Sequence, residues 1–261
     1  MNRRDALRAV AAATSGALAA GCSPPAEKPS ETPSETPASA PAGARRSSSA
    51  PAALPAEVLH GPRNRPNVAL TFHGQGEAGV VGRLLDEIDR GGAKVTVLAV
   101  GTWLAAQPAL ARRIVAAGHD LGNHTQHHAD IKRMTPGQAY AEIVECARRL
   151  EAITGSIGRW FRPSQTRLAT ATIKAAAARA GYPTCLSYDL DSLDHTDPGA
   201  AAVVATTLRA VRPGSIVSLH FGHPDTVAAM APLLRGLRDR GLTPVTVTEL
   251  VGRTGTAGGS L

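Results

Sequence analysis

Between residues 67 and 250, short apolar runs suited to strands alternate with longer segments whose apolar residues recur at helical spacing. "NVALTF" (67–72) lies between Pro66 and a glycine cluster and is followed by the helical "GVVGRLLDEIDRGG". "KVTVLAV" (94–100) precedes "LAAQPALARRIVAAGH", read as one helix that stops at Gly118. "DLGNHT" is a short strand entering a loop, and Thr135-Pro136 opens a helix through Leu150, with the hydroxyl as cap and Pro in the first turn. The later units are "RWFRP", a helix over 170–180, "TCLSYDL", a helix over 198–210, "SIVSLHF", a helix over 226–240, and a last strand in "TPVTVTEL". About seven strand-helix units predict a single α/β domain over 61–252, its parallel sheet closed or nearly closed into a distorted seven- or eight-stranded barrel. Functional side chains are then expected at the C-terminal ends of strands, where His73, His124, Arg162, Asp189, Asp191 and His220 fall.

What precedes the domain has a different character. Residues 1–21 combine a basic start containing a twin Arg, an apolar stretch from Ala9 to Ala20 and a small-residue end, which reads as an export signal. The apolar stretch is too short to span a bilayer as a mature helix. "NRRDALR" resembles a twin-arginine signal and "LAAGC" resembles a lipobox. That resemblance makes Cys22 the lipid anchor, with the protein exported and held on the outer face of the cytoplasmic membrane; the other reading is a cleaved signal and a secreted protein. Residues 22–60 are rich in Pro, Ser and Ala, offer little to bury and read as a disordered linker; 253–261 read as a flexible tail. If Cys22 is consumed, Cys146 and Cys185 remain, one in a helical pattern and one in a strand pattern, and are expected as two buried thiols.

The formal charge of +7 is mild and its Lys and Arg residues are scattered without aromatic interleaving, so no nucleic-acid partner is expected. "ALTFHGQGEAG" (69–79) admits a reading as a G-x-G-x-x-G dinucleotide loop through Gly74, Gly76 and Gly79. Against it, "KVTVLAVGTW" lacks the acidic residue that would hold a ribose. "HTQHH" (124–128) places His124 and His128 four apart, so a helical turn would aim both imidazoles at one point, as two ligands of a catalytic Zn²⁺. A solvated loop of histidines is the alternative. "YDLDSLD" (188–194) resembles the start of a Ca²⁺ loop, but Leu193 and Asp194 occupy the positions that need an oxygen ligand and the turn Gly.

Taken in order, these pieces resemble the polysaccharide deacetylase family, which includes chitin and peptidoglycan N-deacetylases. The matches are "ALTF" leading into the first motif, "HTQHH" as the second, "FRP" (161–163) as the third, "DSLD" (191–194) as the fourth and "SIVSLH" (215–220) as the fifth. The resemblance implies one divalent metal, zinc foremost with cobalt or nickel as alternatives, at which water attacks an N-acetyl carbonyl of a glycan such as peptidoglycan. It makes His124 and His128 metal ligands, His220 the general acid, Asp191 the carboxylate that orients that acid, and Arg162 the group that positions the catalytic base. Gln165 stands where the family supplies an oxyanion donor through a backbone N–H.

Two departures fall on the site. Where active members carry two consecutive aspartates, base and metal ligand, this chain has His73 and Gly74, and His195 replaces the usual Trp after the fourth motif. His73 is therefore read either as a third ligand, giving a His₃ site, or as the base. A non-catalytic relative that binds glycan or organises the envelope is the rival reading, though an aromatic content of 3% leaves few sugar platforms.

Overall fold

The structure is a computed structural model that describes residues 54–252. In chain order its elements are β1 (Glu57–Val58), β2 (Asn67–Gly74), α1 (Ala78–Arg90), β3 (Thr96–Ala99), α2 (Gly101–Ala106), α3 (Pro108–Ala116), β4 (Asp120–Asn123), α4 (Pro136–Thr154), α5 (Ala171–Arg179), β5 (Cys185–Leu186), β6 (Leu190–Asp191), α6 (Ala200–Ala210), β7 (Ile216–His220), α7 (Pro224–Asp239), β8 (Thr243–Pro244) and α8 (Val247–Gly252). The named strand pairs are all parallel, as strand-helix alternation requires.

One path of the sheet runs β4-β3-β2-β7-β6. From β4 it continues through single bridges, Asn123 to Phe161 and Phe161 to Cys185, so "RWFRP" contributes one bridging residue instead of a full strand. The segment 185–191 then lies beside Phe161 and β1 at its start and beside β7 at its end. The wall is thus carried round as a distorted barrel with joints of one or two residues in place of continuous ladders. β1 lies within 22–60, the stretch expected to be linker. Its backbone pairs with β5, and Lys174 bonds the Glu57 carboxylate at 2.8 Å, so the folded domain starts earlier than composition suggested.

Register stacks the barrel interior in layers. In the β2–β7 ladder Ala69 pairs with Ile216, Thr71 with Ser218, and His73 with His220, and successive residues of a strand face opposite sides. Ala69 and Ile216 join Leu98, Trp160 and Leu186 in an apolar plug, Thr71 and Ser218 form a polar middle layer, and the two histidines lie at the C-terminal mouth. The alternate residues Val68, Leu70 and Phe72 face outward into the main core with Leu84, Leu85 and Ile88 of α1 and Leu233, Leu234 and Leu237 of α7.

Three local expectations are corrected. The helix read across 104–118 is two, because Pro108 has no N–H to continue α2 and instead starts α3. "TPVTVTEL" pairs only through Thr243 and Pro244; Thr246 then bonds the Glu249 N–H through its hydroxyl at 3.1 Å, and α8 forms despite the β-branched composition. Asp189 is not at the site: it bonds Arg63 at 2.6 Å and accepts the Ile216 N–H at 2.7 Å at the start of β7. Cys146 and Cys185 are both free and buried, and burial pushes each thiol up to about 12.

The glycines of 74–79 serve packing. A Cβ on Gly76 would lie 2.6 Å from the Gly222 Cα, so the loops after β2 and β7 cross backbone to backbone, whereas a Cβ on Gly82 inside α1 would meet nothing within 4 Å. Gly76→Ala should therefore destabilise by about 1–3 kcal/mol, while Gly82→Ala should stabilise by about 0.5–1 kcal/mol. Denaturant unfolding of both variants checks the pair, and equal shifts would contradict the crossing.

Candidate active site

Four strand ends and the loops after them, from β2, β4, β6 and β7, bring six imidazoles into a chain of contacts. His73 ends β2, His124 follows β4, and His220 ends β7, so parallel register alone aligns them at one rim. Ring centroids lie 4.5 Å apart for His73–His124, 4.8 Å for His124–His128, 4.3 Å for the stacked His73–His220 pair and 4.9 Å for His195–His220. His223 adds a sixth ring 6.1 Å from that of His220. A cleft of roughly 260 Å³ opens over them, lined by His73, His128, Gln165, Arg167, Tyr188, Asp191, His195 and His220 among others.

His124 and His128 converge without the helical turn expected from their spacing. The loop is irregular, with Thr125 at φ 68° and His128 at φ 57°. Thr125 is held by the Asn123 side chain, which accepts its N–H at 2.9 Å, and its hydroxyl accepts the His128 N–H at 3.2 Å. His127 faces away, its Nδ1 2.6 Å from Glu142. The non-glycine residues with positive φ among the described residues are Thr125, His128, Gln165, Leu193 and Asp197, all in the loops around this cleft. Left-handed backbone costs each of them roughly 1–3 kcal/mol, and its confinement to one rim marks a geometry maintained against local preference.

The hydrogen bonds settle which nitrogens carry protons. His124 Nδ1 lies 2.9 Å from the Arg162 carbonyl, which only accepts, so Nδ1 is protonated and Nε2 carries the lone pair. His73 Nδ1 therefore donates to His124 Nε2 at 2.7 Å, and His73 Nε2 accepts from the Ser218 hydroxyl at 2.9 Å. Burial, then the neighbouring His124, hold His73 well below the ordinary imidazole range; burial, then His128, do the same for His124, and burial lowers His128. All three are neutral near pH 7, as metal ligands must be. One donor atom from each lies within 4.8 Å of the others. Because the Ser218 hydroxyl can accept as well as donate, the proton on His73 can move to Nε2 and free Nδ1 beside His124 Nε2. The donor set therefore fits a borderline-soft divalent cation, with the Arg162 carbonyl orienting His124 from behind.

Position 74 is closed. A Cβ on Gly74 would lie 2.8 Å from Val97 Cγ1 and 2.9 Å from the Ala99 Cα, since the β2–β3 ladder runs through this residue. No side chain fits there without moving β3. The dinucleotide reading fails on the same stretch, because the Glu77 carboxylate already accepts the Gly79 and Val80 N–H groups at 2.9 and 3.0 Å and fills the α1 N-terminus that a pyrophosphate would need.

The expected carboxylate partner of His220 is also corrected. Asp194, not Asp191, meets His220 Nδ1 at 2.7 Å, and its other oxygen accepts the His220 N–H at 2.8 Å and the Thr226 hydroxyl at 2.7 Å. Asp191 pairs with Ser218 in the β6–β7 ladder, two residues short of His220, and the left-handed turn at Leu193 then carries Asp194 inward. Burial opposes the Asp194 charge, but the hydrogen bond from His220 and that from Thr226 outweigh it and hold the carboxyl below its usual range. Asp191 stays on the cleft wall, accepting the Leu193 N–H at 3.0 Å.

Arg162 lies beneath the site and is 1% exposed. Its Nη2 donates to Thr71 Oγ1 and the Ser187 carbonyl, its Nε to the Leu186 carbonyl, and Nη1 has no partner. Burial lowers this guanidinium to about 10. Gln165 lines the cleft at φ 51°, its side chain donating to the His128 carbonyl at 2.7 Å. Ser218 and Asp194 went unassigned in the sequence; the alternation in "SIVSLH" puts Ser218 on the His220 face, and Asp194 was visible as the second acid of "DSLD".

In chelator, the three depressed imidazoles should link stability to pH. The unfolded chain takes up protons below about 6.5 while the fold excludes them, so their contribution is complete above that pH and falls as pH drops through the folded values. Melting temperature should decline from pH 7 to 5, and less steeply in His73→Gln; identical slopes would refute the assignment.

A profile of the polysaccharide deacetylase family matches residues 60–185. A chitooligosaccharide deacetylase of Bradyrhizobium is 32% identical over 173 residues, covering 60% of this chain and 78% of the relative. A peptidoglycan-N-acetylglucosamine deacetylase of Bacillus cereus is 30% identical over 200 residues, covering 73% and 90%. Among solved structures, a Bacillus anthracis pseudoenzyme of carbohydrate esterase family 4 shares the fold with a TM-score of 0.70 at 24% identity, covering 76% of this chain and 69% of that one. On the strength of these relatives, the chain belongs to the polysaccharide deacetylase family of barrel-fold carbohydrate N-deacetylases.

Proposed function

We propose that this protein is a metal-dependent hydrolase that removes N-acetyl groups from amino-sugar polymers of the cell wall, using the three imidazoles of His73, His124 and His128 where relatives of the family pattern use an acid and two imidazoles. The convergence of those donors, with His124 oriented by the Arg162 carbonyl, carries this reading. A divalent cation held there, zinc or else cobalt or nickel, would supply Lewis acidity toward the acyl oxygen and toward water.

The remaining groups suit the other steps. His220 is oriented by Asp194 at Nδ1, which leaves Nε2 toward the cleft to protonate a leaving amine. The Gln165 backbone N–H has no acceptor among the described residues and faces the role of oxyanion donor. His73 suits a ligand better than a base, because its Nδ1 lies beside His124 Nε2 and is freed when the proton moves to the Nε2 that faces Ser218.

The rival, a glycan-binding relative without catalysis, draws support from the closed position 74 and from the His73–His124 hydrogen bond. The His220–Asp194 pair favours the enzyme, since glycan binding alone has no use for a proton donor whose tautomer is fixed by a buried carboxylate.

Metal analysis should find about one zinc per chain after reconstitution, lost in His124→Ala and His128→Ala and weakened roughly tenfold or more in His73→Ala. Undiminished metal in His73→Ala would remove it from the ligand set. Acetate release from N-acetylglucosamine oligomers and peptidoglycan should fall about a hundredfold or more in Asp194→Asn and much less in Asp191→Asn. No release from metal-loaded protein would leave the binding role.

Export and anchoring at Cys22 belong to the same proposal. The leader and Cys22 lie outside the described residues, and no described helix is long and apolar enough to cross a membrane. Cys22→Ala should move the protein from the membrane pellet to the soluble fraction; an unchanged pellet would argue against the anchor.

A further inference from the structure

A second convergence of metal donors lies beside the first. One ligand atom from each of Asp194, His195 and His220 falls within 4.8 Å of the other two. The one-turn helical segment Asp194–Thr196, entered through a left-handed Leu193, carries the first two donors to the end of β7, where His220 lies. Asp194 Oδ1 is already 2.7 Å from His220 Nδ1, a spacing that two ligands of one cation at about 2.0–2.2 Å each can span. The other carboxylate oxygen is fixed by the Thr226 hydroxyl at 2.7 Å and the His220 N–H at 2.8 Å, so the acid is oriented before any ion arrives. His195, standing where the family pattern has Trp, is exposed on the cleft with its ring centroid 4.9 Å from that of His220, and its side chain makes no hydrogen bond among the described residues. His223 stands outside this set, because its Nδ1 lies 2.8 Å from Asp197 and its ring 6.1 Å from that of His220.

We propose that Asp194, His195 and His220 bind a second divalent cation, of the zinc, cobalt or nickel class that suits two imidazoles and a carboxylate, and that this ion switches the site off. The cation takes the lone pair of His220 Nδ1, and the proton now shared with Asp194 passes through solvent to Nε2. An imidazole holding a cation on one nitrogen and a proton on the other has no lone pair left for the second proton that it must carry to a leaving amine. Two features make this site weaker than the three-imidazole centre. Binding breaks the Asp194–His220 hydrogen bond, and His73, stacked on His220 at 4.3 Å, holds the first cation close enough to repel the second. The inhibition rests on the deacetylase reading; the binding of the second ion does not.

Calorimetric titration of the full-length protein with zinc tests it. The unaltered chain should take up a first ion and then, more weakly, a second. His195→Gln should keep the first and weaken the second about a hundredfold, without lowering the melting temperature of the metal-free protein, since the side chain is exposed. His124→Ala, which removes the first ion, should still bind one, and that ion should be lost in the His124→Ala, His195→Gln double variant. His223→Gln should match the unaltered chain. Acetate release should fall about a hundredfold as the second site fills, and should hold steady over the same zinc range in His195→Gln. A single binding event in the unaltered chain, or a second that survives in His195→Gln, overturns the site; a second ion bound without loss of acetate release overturns the inhibition. No acetate release at any zinc level sinks the hydrolase reading and the inhibition with it, and the titration alone then decides the second site.

Discussion

A buried guanidinium organises the barrel mouth. Arg162 ties β2 to the segment 185–191 through Thr71, Leu186 and Ser187, while its carbonyl holds the proton of His124 away from the cleft. Removing such a charge from water costs several kcal/mol, and here carbonyls and the Tyr188 ring, 5.3 Å away, offset the loss in place of a carboxylate. Nη1 has no partner among the described residues, and position 73, where the family pattern places an acid, holds an imidazole. Without that acid the charge on Arg162 lowers the His73 pKa further, after burial and His124.

Substitution at 73 and 74 therefore changes the site in two linked ways. With no side chain at 74, the β2–β3 ladder runs to its end and β3 packs against the bare backbone there. Placing an imidazole at 73 brings a nitrogen donor to the same centre from the neighbouring residue, with Ser218 behind it to take or give a proton. The outcome is a cluster of neutral nitrogen donors with no carboxylate among them, backed by a separate His220–Asp194 pair on the opposite side. Such a set favours zinc, cobalt or nickel over harder cations.

Much of this was legible in the chain. Strand-helix alternation determined a parallel barrel with chemistry at the C-terminal strand ends, because buried parallel strands and covering helices leave opposite periodicities in the residues. The ordered motifs placed His73, His124, Arg162 and His220 at one rim, and the missing acids at 73 and 74 were plain from identity alone. The start of α4, with its Thr135–Gln138 capping box, was read correctly, while its end at Thr154 lies a turn beyond the Leu150 expected. Short joints were not, since Phe161 and the β5–β6 break depend on partners far along the chain.

Tertiary structure alone decided which acid serves His220, how His128 reaches His124, and where the protons lie. Both acids of "DSLD" look alike in sequence, and only the β6–β7 register with a left-handed Leu193 brings Asp194 beneath the ring. The spacing of His124 and His128 suggested a helical turn, yet the Thr125 and His128 N–H groups, donating to Asn123 Oδ1 and Thr125 Oγ1, hold a left-handed one. Residue types determined what donors the chain could offer; distances between strands distant in sequence decided which of them meet, because hydrogen bonding and ligation act over a few ångströms that no local pattern encodes.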